Sequence, residues 1–133
     1  METEYGISQR AFPIEDIRNL TEARAKELYR LNYWNKAQGD KINSQAVAES
    51  VFDACVNMGV KPACKLAQSA AGAALVDGLV GTGTLKAING LDEELFLAKF
   101  ALEKIGRYAA ICNKDRTQSK FLLGWINRTL EQA

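Results

Sequence analysis

Whatever chemistry this chain performs is done without histidine, because the sequence contains none. That removes the commonest general base, the Ser-His and Cys-His nucleophile pairs and imidazole metal ligation together. Acid–base work therefore falls to carboxylates, lysine, tyrosine or cysteine. Cys55, Cys64 and Cys112 form no C-x-x-C pair and are odd in number, which argues against a disulfide framework or a zinc site. They read as reduced, buried, small apolar residues, and neither metal nor cofactor is expected. The carboxylates in suggestive company are Glu2 and Glu4 beside Tyr5, Asp53 beside Phe52, and Asp77 in a glycine-punctuated run. A carboxyl acts as a general acid when partial burial lifts its pKa toward the working pH, so each must be judged by the element that holds it.

Those elements read as helices. Asn19 offers a cap with Glu22 three residues on, leading a helix through Trp34. Ser44 caps a second helix in which Val47, Val51, Ala54 and Met58 recur at steps of three and four, with Gly59 at a left-handed C-terminal cap. Pro62 suits the first turn of a third, small-residue-rich helix closed by Gly72. The stretch Val76–Leu85 is a glycine-rich turn into a short helix that stops at Gly90. Asp92 caps a long helix to about Asn113, and Asp115 with Gln118 opens the last, carrying Phe121, Leu122, Trp125, Ile126 and Leu130. Only the first dozen residues suggest a strand. The expected fold is all-α, with at most a small N-terminal strand or hairpin.

Composition sets limits on function. A chain of 133 residues with 47% apolar content can form one compact domain with a real core. Lys plus Arg number 17 against 16 Asp plus Glu, so a net charge of +1 provides no field for nucleic acid or an anionic membrane. The N-terminus reads as acidic where a signal peptide would be basic, and no run approaches the roughly 18 apolar residues of a membrane span, so the sequence as written reads as cytoplasmic.

Six motifs then carry a resemblance: Tyr5-Gly6-Ile7-Ser8, Asp16-Ile17-Arg18-Asn19-Leu20-Thr21, Tyr33-Trp34, Phe52-Asp53-Ala54-Cys55-Val56-Asn57-Met58-Gly59, Asp77-Gly78-Leu79-Val80-Gly81-Thr82-Gly83-Thr84 and Gly124-Trp125-Ile126-Asn127-Arg128. In order and approximate spacing they resemble glycoside hydrolase family 108 along essentially the whole chain. The resemblance implies a lysozyme-like muramidase of phage or prophage origin, with residues 1–72 a truncated lysozyme-like region and 73–133 a helical peptidoglycan-binding region, packed as one globule. In that family a Glu-Gly-Gly helix supplies the catalytic acid ahead of the Tyr-Gly-Ile segment. The chain begins inside the second of these motifs, so the expectation is a module without its proton donor.

Cleaving a glycosidic bond requires a protonated carboxyl at the leaving oxygen. If residues 3 to 8 run as a strand, Thr3 and Tyr5 face one side while Glu2 and Glu4 face the other, which makes the two glutamates solvated terminal charges. Thr3 can position water or sugar but cannot donate that proton. The resemblance implies Thr3, Tyr5, Tyr33, Trp34, Asp53, Asp77 and Thr84 as substrate-binding residues. Each has a plainer account: Tyr33 and Trp34 as interhelical packing, Asp53 as a scaffold acid bonded to Asn57, Asp77 and Thr84 as turn and cap, and Trp125 with Arg128 as core packing beside a surface guanidinium.

Two functions follow from different classes. One is a peptidoglycan-directed muramidase module, inactive without its upstream helix and reaching the periplasm or cell wall through another release system. The other is a repurposed non-catalytic protein binding a host protein, such as an inhibitor of host defence. Removal of a core helix would also leave an apolar groove and favour a homodimer.

Overall fold

The computed structural model describes residues 3–4, 7–9 and 11–132, with the backbone alone for Thr3, Glu4, Ser8 and Gln132. Three of the helices begin where a short polar side chain takes up an orphan backbone N–H. In α1 (Glu22–Tyr29) that residue is Thr21, whose Oγ accepts the Arg24 N–H at 3.1 Å. Asn19 does not serve, contrary to the sequence expectation, because its amide donates to Asp16 at 2.8 Å inside a 3₁₀ turn, Ile17–Asn19. The α-helix also stops short of Trp34. Beyond Tyr29 it widens into a π turn, Arg30–Trp34, closed by the Asn35 N–H on the Arg30 carbonyl at 2.8 Å. The Asn32 amide donates to the Leu28 carbonyl at 2.9 Å, drawing one carbonyl out of the regular ladder where the widening begins.

Ser44 caps α2 (Gln45–Met58), and its Oγ accepts the Val47 N–H at 3.1 Å. Gly59 alone joins α2 to α3 (Val60–Ala71), at φ 95° and ψ 153°. The positive φ is as expected, but the conformation is a sharp joint and not the left-handed cap, since the next residue already starts a helix. Gly72 does close α3 in the left-handed form: its N–H reaches the Ser69 carbonyl, and Ala73 N–H reaches that of Gln68. Then come α4 (Thr82–Asn89), α5 (Glu93–Lys114, with Asp92 accepting the Leu95 N–H) and α6 (Leu122–Gln132). Asp115 initiates a 3₁₀ stretch, Arg116–Phe121, that feeds α6.

The fold is therefore all-α, with one antiparallel pair of two-residue strands at its start. In that pair β1 (Thr3–Glu4) meets β2 (Ile7–Ser8) in the register Thr3 with Ser8 and Glu4 with Ile7. This is the hairpin of the expected small N-terminal strand or hairpin, so the alternation of one strand through residues 3 to 8 does not apply.

The main core gathers Val47, Val51 and Cys55 of α2, Ala63, Cys64 and Ala67 of α3, Ile88 of α4, and Phe96 and Phe100 of α5. Complete burial of each phenylalanine contributes about 1.5–3 kcal/mol. The small side chains of α3 let it pack closely between α2 and α5. A second cluster joins Ile7 and Ile17 to Leu20, Ala25 and Leu28, fixing the strand pair against α1. Glu15 clamps the intervening loop: both its oxygens take the Arg24 guanidinium, at 2.8 and 2.9 Å, and this holds its carboxyl below the usual range. No described helix is long and apolar enough to cross a membrane.

Candidate functional site

The π turn places Tyr29, Tyr33 and Trp34 on one shelf with Phe52 of α2. Tyr29 and Tyr33 lie one turn apart with ring centroids at 5.8 Å, Trp34 meets Phe52 edge-on at 5.7 Å, and Tyr29 meets Phe52 at 6.4 Å. Asp40 anchors the shelf by accepting the Trp34 indole N–H at 2.9 Å and pairing with Arg30 at 2.8 Å. Gly39 lies against the indole so closely that a Cβ there would come within 2.3 Å of the ring. One face of Trp34 is thereby covered by backbone. On the open side a hollow of about 340 Å³ is lined by Lys26, Tyr29, Arg30, Trp34 and Phe52. Half-buried rings with basic rims suit a sugar, whose C–H faces stack on aromatic rings while its hydroxyls reach charged groups. Tyr33 stands behind this hollow, against Tyr29 and the main core.

A second groove, of about 420 Å³, runs along the glycine-rich loop and α4, past Gly72, Leu75, Asp77, Leu79, Gly81 and Thr84. Its floor is organised by Gln68, which is completely buried on α3. The Gln68 amide nitrogen donates toward Asp77 Oδ1 at 3.0 Å, the Leu79 carbonyl at 3.0 Å and Thr84 Oγ at 2.9 Å, while its oxygen accepts the Gly78 N–H at 2.8 Å. Two protons serve three oxygens, so one of them is shared. Asp77 also accepts the Leu79 N–H at 2.9 Å, and this bond, then Gln68, lowers its pKa. Gly78 has φ 80°, and a Cβ would come within 2.7 Å of Lys61 Cγ and 3.0 Å of the Lys61 carbonyl oxygen, so only glycine fits there. Asp77 Oδ1 and Thr84 Oγ are thus spent on the scaffold, through Leu79 and Gln68, and the groove offers a ligand the loop's outer surface with Lys86. Gln68 escaped the sequence reading. The available signal was a glutamine on the same stripe as Cys64 in a helix otherwise lined by alanines.

Asp53 lies on neither surface. Its carboxylate accepts the Asn57 amide at 3.0 Å and the Arg128 guanidinium at 3.3 and 3.4 Å, tying α2 to α6. Trp125 stacks on Tyr108 of α5 at 5.0 Å. Of Thr3 only the backbone is described, and Tyr5 and Glu2 lie outside the described residues, as does the side chain of Glu4.

Among the described residues, the carboxylates whose acidity shifts are Glu15, Asp77 and Asp115, and all three shift downward. Asp115 does so because the Thr117 hydroxyl and N–H donate to it. Each is held as an anion, the opposite of what a proton donor needs at neutral pH. Donation to Cys64, followed by burial, pushes the Cys55 thiol far up, so it is not a nucleophile. Among the described residues no group of acids and cysteines could hold a metal ion.

Residues 2–59 match the family described as Glycosyl hydrolase 108, and residues 62–130 match that described as Predicted Peptidoglycan domain. Among solved structures, that of Brucella abortus SagA superposes with a TM-score of 0.81 at 26% identity, over 98% of this chain and 76% of the SagA chain. No curated protein matches.

Proposed function

Because residues 2–59 match the Glycosyl hydrolase 108 family and residues 62–130 match the Predicted Peptidoglycan domain, we propose that this chain is a lysozyme-like glycan-binding module that does not by itself hydrolyse the wall. The reading is carried by one coincidence: the open loop groove, bounded by Gly72 and Ala87, lies wholly within the predicted peptidoglycan domain. The Trp34–Phe52 shelf in the hydrolase-like part supplies a second sugar-stacking surface. Glu15, Asp77 and Asp115 support the non-hydrolytic reading, because their donors hold each of them ionised and so unsuited to give up a proton.

The test uses the 133-residue chain with purified sacculi. It is expected to co-sediment with them while releasing no reducing sugar and leaving turbidity unchanged. Release of sugar would show that these residues contain a working acid, and failure to co-sediment would remove the glycan-binding reading.

A second reading, self-association or docking of a partner protein, is favoured by one observation. Leu123 and Leu130 on α6 are 70% and 63% exposed and stand two turns apart on one face. Sedimentation velocity at rising concentration separates the readings: a constant monomer mass counts against the homodimer.

A further inference from the structure

A third cavity, of about 290 Å³, opens between α2, α5 and α6, bordered by Asn57, Met58, Arg107, Tyr108, Trp125 and Arg128. Its lining contains two guanidinium groups and no acid. Arg107 is partly buried and has no hydrogen-bond or ion-pair partner among the described residues. Arg128 reaches Asp53 only at 3.3 and 3.4 Å, longer than the roughly 2.7–2.9 Å of a well-made charged hydrogen bond. Asp53 has further claims on it, from the Asn57 amide and from the field of buried Lys104, whose ammonium lies 4.8 Å over the Phe100 ring. Two guanidiniums thus line the cavity, and the carboxylate that reaches its lining, that of Asp53, is already shared with Asn57. The Tyr108–Trp125 stack, with an interplanar angle of 25°, forms a flat wall beside these guanidiniums.

We propose that this cavity binds a carboxylate carried on a short apolar or sugar-linked body, with Arg107 and Arg128 forking the carboxylate and Trp125 backing the body. The planar guanidinium matches a carboxylate through two parallel hydrogen bonds, which a lysine cannot do. The volume lies at the lower limit of small-ligand sites, about 300 Å³, and suits a fragment of one or two residues better than a glycan chain. Resting on the peptidoglycan reading above, the source is the peptide stem of the wall, which presents free carboxylates close to the sugar. The cavity would read the stem while the shelf and loop groove face the glycan.

The experiment follows the two indole N–H signals and the arginine Nε–H signals of the ¹⁵N-labelled chain during titration with three probes. These are a muramic-acid dipeptide with free carboxylates, the same dipeptide amidated, and inorganic phosphate. The free dipeptide is expected to move the Trp125 and Arg107 signals, and the amidated form to move them at least about tenfold more weakly. Arg107→Gln should weaken the free dipeptide by a similar factor and Arg107→Lys by less, with the unfolding midpoint of both unchanged. Equal response to the amidated dipeptide, equal response to phosphate, or no effect of Arg107→Gln each overturns the proposal. Sacculus co-sedimentation without any dipeptide response overturns the cavity alone. Dipeptide binding without co-sedimentation overturns the wall reading and the assigned source, and supports a carboxylate site.

Discussion

A single amide organises the loop groove. Gln68 is fully buried, and its two N–H bonds and one oxygen bind the loop at Asp77, Gly78, Leu79 and Thr84. Replacing it with leucine keeps much of the volume but strands the Gly78 N–H and the Leu79 carbonyl beneath the loop. Each buried group left without a partner costs about 1–3 kcal/mol, so Gln68→Leu should lower stability by about 2–4 kcal/mol in urea unfolding. Sacculus binding should fall with it even under conditions where the variant remains folded, because the groove loses its shape before the helices melt. A variant with wild-type stability would mean that the loop does not depend on this amide.

At the scale of elements, the joints between helices carry the pH dependence. Asp77 in the loop before α4 has a folded pKa below its ordinary value of 3.8, set first by the Leu79 N–H and then by Gln68. A depressed acid contributes stability that is fully present above the unfolded pKa and is lost as pH falls through the folded one. Glu15 before α1 and Asp115 before α6 act with the same sign. Burial lowers the pKa of Lys104, but its charge state does not change in the acid range, so it adds no slope there. The unfolding temperature should therefore hold steady near pH 6 and fall below about pH 4, with Asp77→Asn flattening part of that fall. An Asp77→Asn profile parallel to that of the parent would rule out the loop as a contributor.

Across the whole molecule, the main core crosses the boundary between the two matched regions. Val47, Val51 and Cys55 precede it, and Ala63, Cys64, Phe96 and Phe100 follow it, all in one cluster. Neither side can bury these faces alone, so the chain should unfold in one cooperative transition. Fluorescence of Trp34, on the hydrolase-like side, and of Trp125, on the other, should report the same denaturant midpoint in single-tryptophan variants. Separate midpoints would mean that the halves fold independently.

Local chemistry was legible in the residues themselves. Ser44, Asp92 and Asp115 were readable as caps and Gly72 as the close of its helix, because such bonds span three or four residues and need nothing beyond the segment. The all-α class followed from the same periodicity. What needed tertiary structure was the choice between locally equal options. Asn19 and Thr21 both carry a capping oxygen, and the burial of Ile17 and Leu20 in the second cluster accompanies the choice of Thr21. Asp77 and Asp53 were each marked as substrate-binding candidates. Their actual bonds, to Gln68 and to Arg128, join residues that pattern reading treats as unrelated, since helix packing alone brings them together. Sequence thus determined the caps that Ser44, Asp92 and Asp115 supply, each decided within a turn. The packing of α2, α3, α5 and α6 decided which polar groups are consumed by the scaffold and which, like the Arg107 guanidinium, are left facing a cavity.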